Sequence, residues 1–359
     1  MTGMNKAKFH IAILFISGLA LNMCVEPYDY PAGERSNNLV VEALIASNPG
    51  PQAVRLTTTR NIYNTGNQYI LYVSGAEVSV LDSDGRSFPF NEQGGGQYYS
   101  DSSFSAVGGK AYRLRIVTKE GKVYESNEET ALPTSEMDKV EIAYTVKSEK
   151  NELGNFVDVD GFSVKAIVND LPSQKNYYLL RMTTIFKVLT EPSAYQVFDR
   201  ELGNYVTQPK SCCNICWVTK PLDEFVVFSD QLVDGREEAE IPLTFYPVDQ
   251  KYFYDKVYFE VTQYSLTAEA YVFWKGLYDL KFRQGTLFDP APSGLPGNIF
   301  NVDDRSEQVV GYFTVSDVTT KGEFMTKDFI PRNVVYTYRY TDDCRTLPNS
   351  TTTQPAFWR

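Results

Sequence analysis

Histidine is almost missing from this chain of 359 residues: His10 is the one copy. It lies in residues 1–23, which read as a secretory signal, with Lys6 and Lys8 ahead of an apolar core from Ile11 to Leu21. Once that leader is removed no imidazole remains. Ser-His-Asp and Cys-His mechanisms are thereby excluded, as are histidine-bound zinc and iron. Hydrolysis by a carboxylate pair survives in principle, but no pair stands out among 45 acidic residues. The expectation is therefore a protein that is not an enzyme and carries no cofactor or metal. Long apolar runs are also scarce, and the leader's core is too short to span a bilayer permanently. Positive charge is in deficit: the formal net charge is −11, and losing Lys6 and Lys8 makes it more negative by two. Nucleic acid is a poor partner for such a surface, and solubility accounts for the acidity. Solenoid repeats and low-complexity blocks are absent as well.

Cysteine is sparse but placed. Leu21-Asn22-Met23-Cys24 has the shape of a lipobox, so Cys24 is expected to be the lipidated N-terminus; the alternative is a soluble secreted protein with an odd cysteine. Glu26 and Asp29 resemble signals that send such proteins to the cell surface. Residues 24–37 are polar, with Pro27 and Pro31, and read as a tether. Cys212, Cys213, Cys216 and Cys344 remain, an even number that suits two disulfides in an oxidising compartment. Adjacent Cys212 and Cys213 are not expected to pair, because a bridge across one peptide bond is strained. One of them is expected to close onto Cys216 and the other to reach Cys344. A four-thiolate zinc site is the competing reading; a redox centre lacks the following helix that would depress a thiol pKa.

From Leu39 the pattern turns to period two. Val54, Leu56 and Thr58 alternate, as do Val78 and Val80, and Tyr112, Leu114 and Ile116 against Arg113 and Arg115. Turn chemistry at Asp82 to Gly85, Gly94 to Gly96, Gly108-Gly109 and Glu120-Gly121 separates these strands. About seven short strands in about 95 residues suit a transthyretin-like or immunoglobulin-like sandwich over 38–133, ended by Pro133. A second β-rich domain over 134–345 is expected, with strands at Lys139 to Lys147, Asp160 to Val168, Tyr177 to Val188, Glu224 to Phe228, Ala239 to Tyr246, Tyr254 to Tyr264 and Val309 to Val318. Residues 346–359 form a tail. The fold class is thus mainly β: two sandwiches, the second carrying one inserted helix and a long Pro/Gly loop. Asp-x-Asp-Gly occurs at Asp82 and at Asp158, but calcium-loop register would put Val80 or Phe156 where an aspartate is needed. Both runs read as hairpin turns. Aromatic rings between Tyr252 and Tyr264 suit either a sugar or peptide platform or plain core packing, of which packing is the simpler.

The helix is expected over 266–283. Tyr271, Trp274, Leu277 and Tyr278 recur at helical spacing; Thr267 can cap the start, Glu269 and Lys281 suit the dipole, and Gly285 stops it. The loop from Thr286 to Asn301 follows, rich in proline and glycine. It is longer than a compact domain needs, so it is expected to be a contact surface anchored by Phe288 and Ile299. Phe288, Asp289, Ser293, Leu295 and Asn298 are the residues expected to meet a partner, the alternative being that the loop only covers the sheet edge.

Seven stretches carry a resemblance: S-x-x-x-E-A-Y-x-F-W from Ser265, L-F-D-P-x-P-S from Leu287, G-N-I-x-N from Gly297, V-x-G-Y-F from Val309, the Cys-Val-Glu-Pro-Tyr start at Cys24, Cys-Cys-x-x-Cys-Trp at Cys212, and Pro-Ala-Phe-Trp ending at Trp358. Together they resemble a Bacteroidetes outer-membrane lipoprotein family built on a domain of unknown function. Its members are typically encoded beside TonB-dependent transporters. The resemblance implies a lipid-anchored, surface-facing outer-membrane protein that binds such a transporter and assists nutrient capture or uptake. A structural or adhesive envelope protein without a solute ligand is the alternative.

Overall fold

The computed structural model describes residues 38–59, 70–169, 175–232, 238–249, 251–282 and 294–358. Residues 1–37, with Cys24, lie outside them, as do Gly285, Phe288, Asp289 and Ser293. Alternation builds the first sheet as expected: in Ala111–Val117, Tyr112, Leu114 and Ile116 point inward, while Arg113 and Arg115 reach Glu125 at 3.6 and 3.2 Å. The first Asp-x-Asp-Gly run turns a hairpin. Asp82 Oδ1 accepts from the backbone N–H groups of Asp84 and Arg86 at 3.0 and 2.9 Å, and Gly85 takes φ +81°.

This sheet does not close within 38–133. Val123–Ser126, Ala111–Val117, Glu77–Asp82, Ser87–Glu92, Gln97–Ser100, Ala53–Thr58 and Leu39–Ala46 pair in that order, and both edges are then covered from far along the chain. Val310–Ser316 lies parallel to Leu39–Ala46, with Val40 opposite Val310 and Ala46 opposite Ser316. Ile299–Asn301 pairs antiparallel with Val123–Ser126. An eleven-stranded, nearly closed, barrel-like sheet results, around Leu56, Val80, Tyr98, Leu114 and Phe313. The expected self-contained sandwich over 38–133 is thus corrected. An open edge of unpaired backbone N–H and C=O groups is a liability, and residues 299–316 cover both of these edges.

A second core lies between three strands, Met137–Lys150, Phe156–Asn169 and Glu238–Pro247, and five, Val318–Thr326, Lys256–Ser265, Tyr177–Leu189, Ile215–Ser229 and Ser350–Thr351. Phe162, Leu180, Met182, Phe186, Val257 and Phe259 fill it. The central strand, YYLLRMTTIFKVL, is covered on both faces, which explains its near-continuous apolar run. Outside it, Leu179 meets the helix through Phe273 and Trp274, and Ile185 meets Trp217 and Trp358. Tyr258 stacks on Phe357 with centroids 4.2 Å apart. The rings of Lys256–Ser265 pack against their neighbours, whereas Tyr252 precedes that strand. The second Asp-x-Asp-Gly run is no turn, since Asp158 to Gly161 lie inside Phe156–Asn169. Gly161 is there because the Phe245 ring and the Tyr246 carbonyl occupy the place of a Cβ. Two further elements escaped the sequence reading, the strand Val318–Thr326 and the hairpin of Gln196–Asp199 with Asn204–Thr207.

The helix runs Ala268–Phe282, and Thr267 Oγ caps it by accepting from Ala270 N at 3.2 Å. Among the described residues no helix is long and apolar enough to cross a membrane. Asp317 joins the two cores. Its carboxylate accepts from Ser47 Oγ at 2.5 Å and Thr134 N at 3.2 Å, and its backbone N–H donates to Ser265 Oγ at 3.0 Å.

Candidate functional site: a cleft at the far end of the second core

Strand direction decides where the site lies. Tyr177–Leu189 starts beside the helix, where Leu266 N donates to Tyr177 O at 2.8 Å, and carries Phe186 and Val188 to the opposite end. There Phe186 stands across from Val218 and Val188 across from Cys216. Pro221 marks a register irregularity on the neighbouring strand, opposite Thr183, where a residue without an N–H is tolerated. Lys251 and Tyr252 come from the turn ahead of Lys256–Ser265, a turn closed by Tyr252 N on Asp249 O at 3.0 Å. Tyr338 arrives on the extended chain that runs past Leu189. Tyr336 Oη anchors this chain, accepting from Leu189 N at 3.3 Å and donating to Leu189 O at 3.2 Å.

Between these pieces is a cleft of about 260 Å³. Its rings are Phe186, Tyr252 and Tyr338, Lys220 and Lys251 carry charge, and among the described residues no carboxylate lines it. Lys220 Nζ lies 5.1 Å from the Tyr252 ring centre, and Phe186 and Tyr252 pack with centroids 4.6 Å apart. The remaining wall, Leu347 to Asn349, is tied down covalently. Cys344, three residues earlier, is bonded to Cys216 across 128 residues of sequence, and Thr219 N donates to Asn349 O at 3.1 Å. Asp343 helps hold this segment. The Arg345 guanidinium and backbone N–H bonding it keep its carboxyl well below the usual range.

The sequence-derived residues fare differently. Cys212 and Cys213 are joined to each other, and Cys216 to Cys344, so the expected bridging from the adjacent pair is corrected. The reason is orientation. Cys216 sits on a strand with its side chain in the core, where Cys344 meets it, whereas Cys212 is exposed in the preceding loop. With all four sulfurs in disulfides there is no four-thiolate set. Asn298 does not face a partner. It is buried, its Nδ2 donates to Phe313 O at 2.9 Å, and its Oδ1 accepts from Phe313 N at 2.8 Å. Leu295 likewise turns inward, onto the helix at Gly276. Ile299 is the anchor it was expected to be, buried in the first core. The cleft itself was missed. Alternating Tyr336, Tyr338 and Tyr340 were the available cue, but the other walls come from separate strands and leave no local signal.

The family model described as "Domain of unknown function (DUF4249)" matches residues 25–322. The chain belongs to that family. No curated protein matches it. Within this DUF4249 chain the match takes in Phe186, Lys220 and Tyr252, while Tyr338 and the disulfide-tethered wall follow it in sequence.

Proposed function

We propose that this DUF4249 protein is a surface-facing outer-membrane lipoprotein, anchored through Cys24, that binds a solute as an accessory of a TonB-dependent transporter. The cleft carries this reading. Ligand sites are concave and mainly apolar with a few placed polar groups, and this one combines three rings with two lysines on a covalently fixed frame. Binding rather than catalysis suits it, because among the described residues the cleft pairs no acid with a base. Its setting supports a partner. Beyond the Gly161 to Pro247 pairing and the Val248 to Asp160 hydrogen bond, Val146 to Lys150 and Phe156 to Val159 continue as a two-stranded ribbon with no third strand among the described residues, for about 13 Å. Its end exposes Leu153 and Phe156, and the hairpin 196–207 at the same end exposes Leu202 and Tyr205. These tips also favour the second reading, an adhesive envelope protein without a solute.

Two variants separate the readings. Val218→Trp fills the cleft and Phe156→Asp spoils the ribbon. Solute uptake in transporter-dependent cells and co-purification of the transporter from detergent are measured for both. The accessory reading expects Val218→Trp to abolish uptake while leaving co-purification intact, and Phe156→Asp to lose both. If Val218→Trp folds and uptake is unchanged, the solute-binding function is wrong.

A further inference from the structure

We infer that the cleft takes an organic anion carried on one or two six-membered rings. This rests on the cleft being the binding site and adds the chemistry of what enters it. Charge is the first argument. The chain is acidic, and its other lysines are often neutralised at close range: Lys110, Lys122, Lys165 and Lys275 all lie within 3.0 Å of a carboxylate oxygen. Lys220 and Lys251 line the cleft with no carboxylate within 4.0 Å of either ammonium among the described residues. Asp249, two residues before Lys251, is turned into its own loop, where Oδ1 accepts from Lys251 N at 2.9 Å. Unpaired lysines in open water are ordinary; two lining one apolar-walled hollow are a site for negative charge. The same pair excludes a metal cation, which two ammonium groups would repel.

Shape supplies the second argument. Tyr252 and Tyr338 are half-buried rings on the cleft wall, and Phe186 is buried behind Tyr252; aromatic rings of this kind pack against planar rings or the C–H face of a sugar. The cleft's volume of about 260 Å³ falls just under the roughly 300–1,000 Å³ of sites that enclose drug-sized ligands. One or two rings fill it. Hydrogen-bonding capacity points the same way. Ammonium groups only donate, and the Asn349 carbonyl is already engaged by Thr219 N, so a ligand rich in acceptors is favoured over one rich in donors. Sugar acids and aromatic acids share this chemistry.

Isothermal titration of the folded protein with two matched pairs tests the inference: galacturonate against galactose, and 4-hydroxybenzoate against 4-hydroxybenzyl alcohol. One acid is expected to bind at least about tenfold more tightly than its neutral partner, the contribution of one hydrogen bond to a charged group. The pair that responds tells sugar from aromatic. Lys220→Gln with Lys251→Gln should erase the preference, while Tyr252→Ala should weaken acid and neutral partner alike. Equal binding of acid and neutral partner, or a preference that survives the double substitution, overturns the anion assignment and leaves solute binding standing. If none of the four binds, the assignment also fails; whether the cleft binds any solute is then decided by the Val218→Trp uptake experiment.

Discussion

The carboxylate of Glu129 accepts a hydrogen bond from the hydroxyl of Tyr312, 183 residues later in the chain. It also accepts from Thr267 Oγ, the helix cap, at 2.9 Å and from Asn298 Nδ2 at 3.3 Å. One buried side chain therefore holds the start of the helix, the end of the long loop and the closing parallel strand. Replacing it by an apolar residue strands three donors. Glu129→Leu is expected to destabilise the fold by about 2–4 kcal/mol, measured by urea unfolding; a loss below the error of the melt would show that the donors find other partners.

Burial pushes the Glu129 carboxyl above the ordinary glutamate range, against the opposing effect of its hydrogen-bond donors. The folded state then keeps this proton to higher pH than the unfolded chain does. The contribution is complete below the unfolded value of about 4.3 and is lost as pH rises through the raised folded value. Glu129→Gln, which does not titrate, should gain on the wild type as pH climbs from 4 to 8. Urea midpoints of the two proteins across that range are the check, and a constant gap would contradict it.

The Cys216 to Cys344 bond closes a long loop and fixes one cleft wall. Chain-entropy reasoning puts the stabilisation from a loop of this size at about 4–5 kcal/mol, an upper figure. Cys344→Ser should lower the urea midpoint and weaken ligand binding at the cleft together. Mass mapping of unreduced peptides should recover Cys216 linked to Cys344; a peptide joining Cys213 to Cys344 would refute the pairing.

Gly311 adopts φ +116°, and an added Cβ would strike the Val41 carbonyl in the parallel pairing. The conformation alone makes Gly311→Ala unfavourable by about 1–3 kcal/mol. Hydrogen exchange should show faster opening of Leu39–Ala46 than in the wild type, with the five-stranded sheet less affected. Uniform acceleration across both cores would mean that they unfold as one unit.

Trp358 is buried against Trp217 and Ile185 near the very end of the chain. Trp358→Ala should reduce stability by about 3 kcal/mol and expose the Tyr258 and Phe324 rings, read as increased binding of an apolar dye. An unchanged signal would show that the tail is dispensable.

Local chemistry was legible from the sequence wherever a residue's role depends on its neighbours in the chain. Tyr112, Leu114 and Ile116 announce a strand, Thr267 a helix start, and Asp82 to Gly85 a turn, and each does what its pattern says. The reading failed where the demand comes from elsewhere. Gly161 looked like a turn glycine because the Phe245 ring that requires it is remote in sequence. Asn298 looked free to face a partner, yet it satisfies the backbone of Phe313. That Val310–Ser316 completes the first sheet is a pairing over the whole chain, and alternation in either strand is the same whatever its neighbour. The cleft was hidden for the same reason.

The parallel pairing of Leu39–Ala46 with Val310–Ser316 has a consequence in time. Ser47 and its partner Asp317 are 270 residues apart, so synthesis at about 5–20 residues per second separates their appearance by roughly 15–50 s. Throughout that interval the first seven strands can zip together one after another, but Leu39–Ala46 stays an unclaimed edge, open to any other extended chain. The last strand to arrive is the one that shuts it. Productive folding of this protein is therefore a race between its own C-terminal third and its neighbours, and conditions that slow or truncate synthesis should favour aggregation through the N-terminal strand.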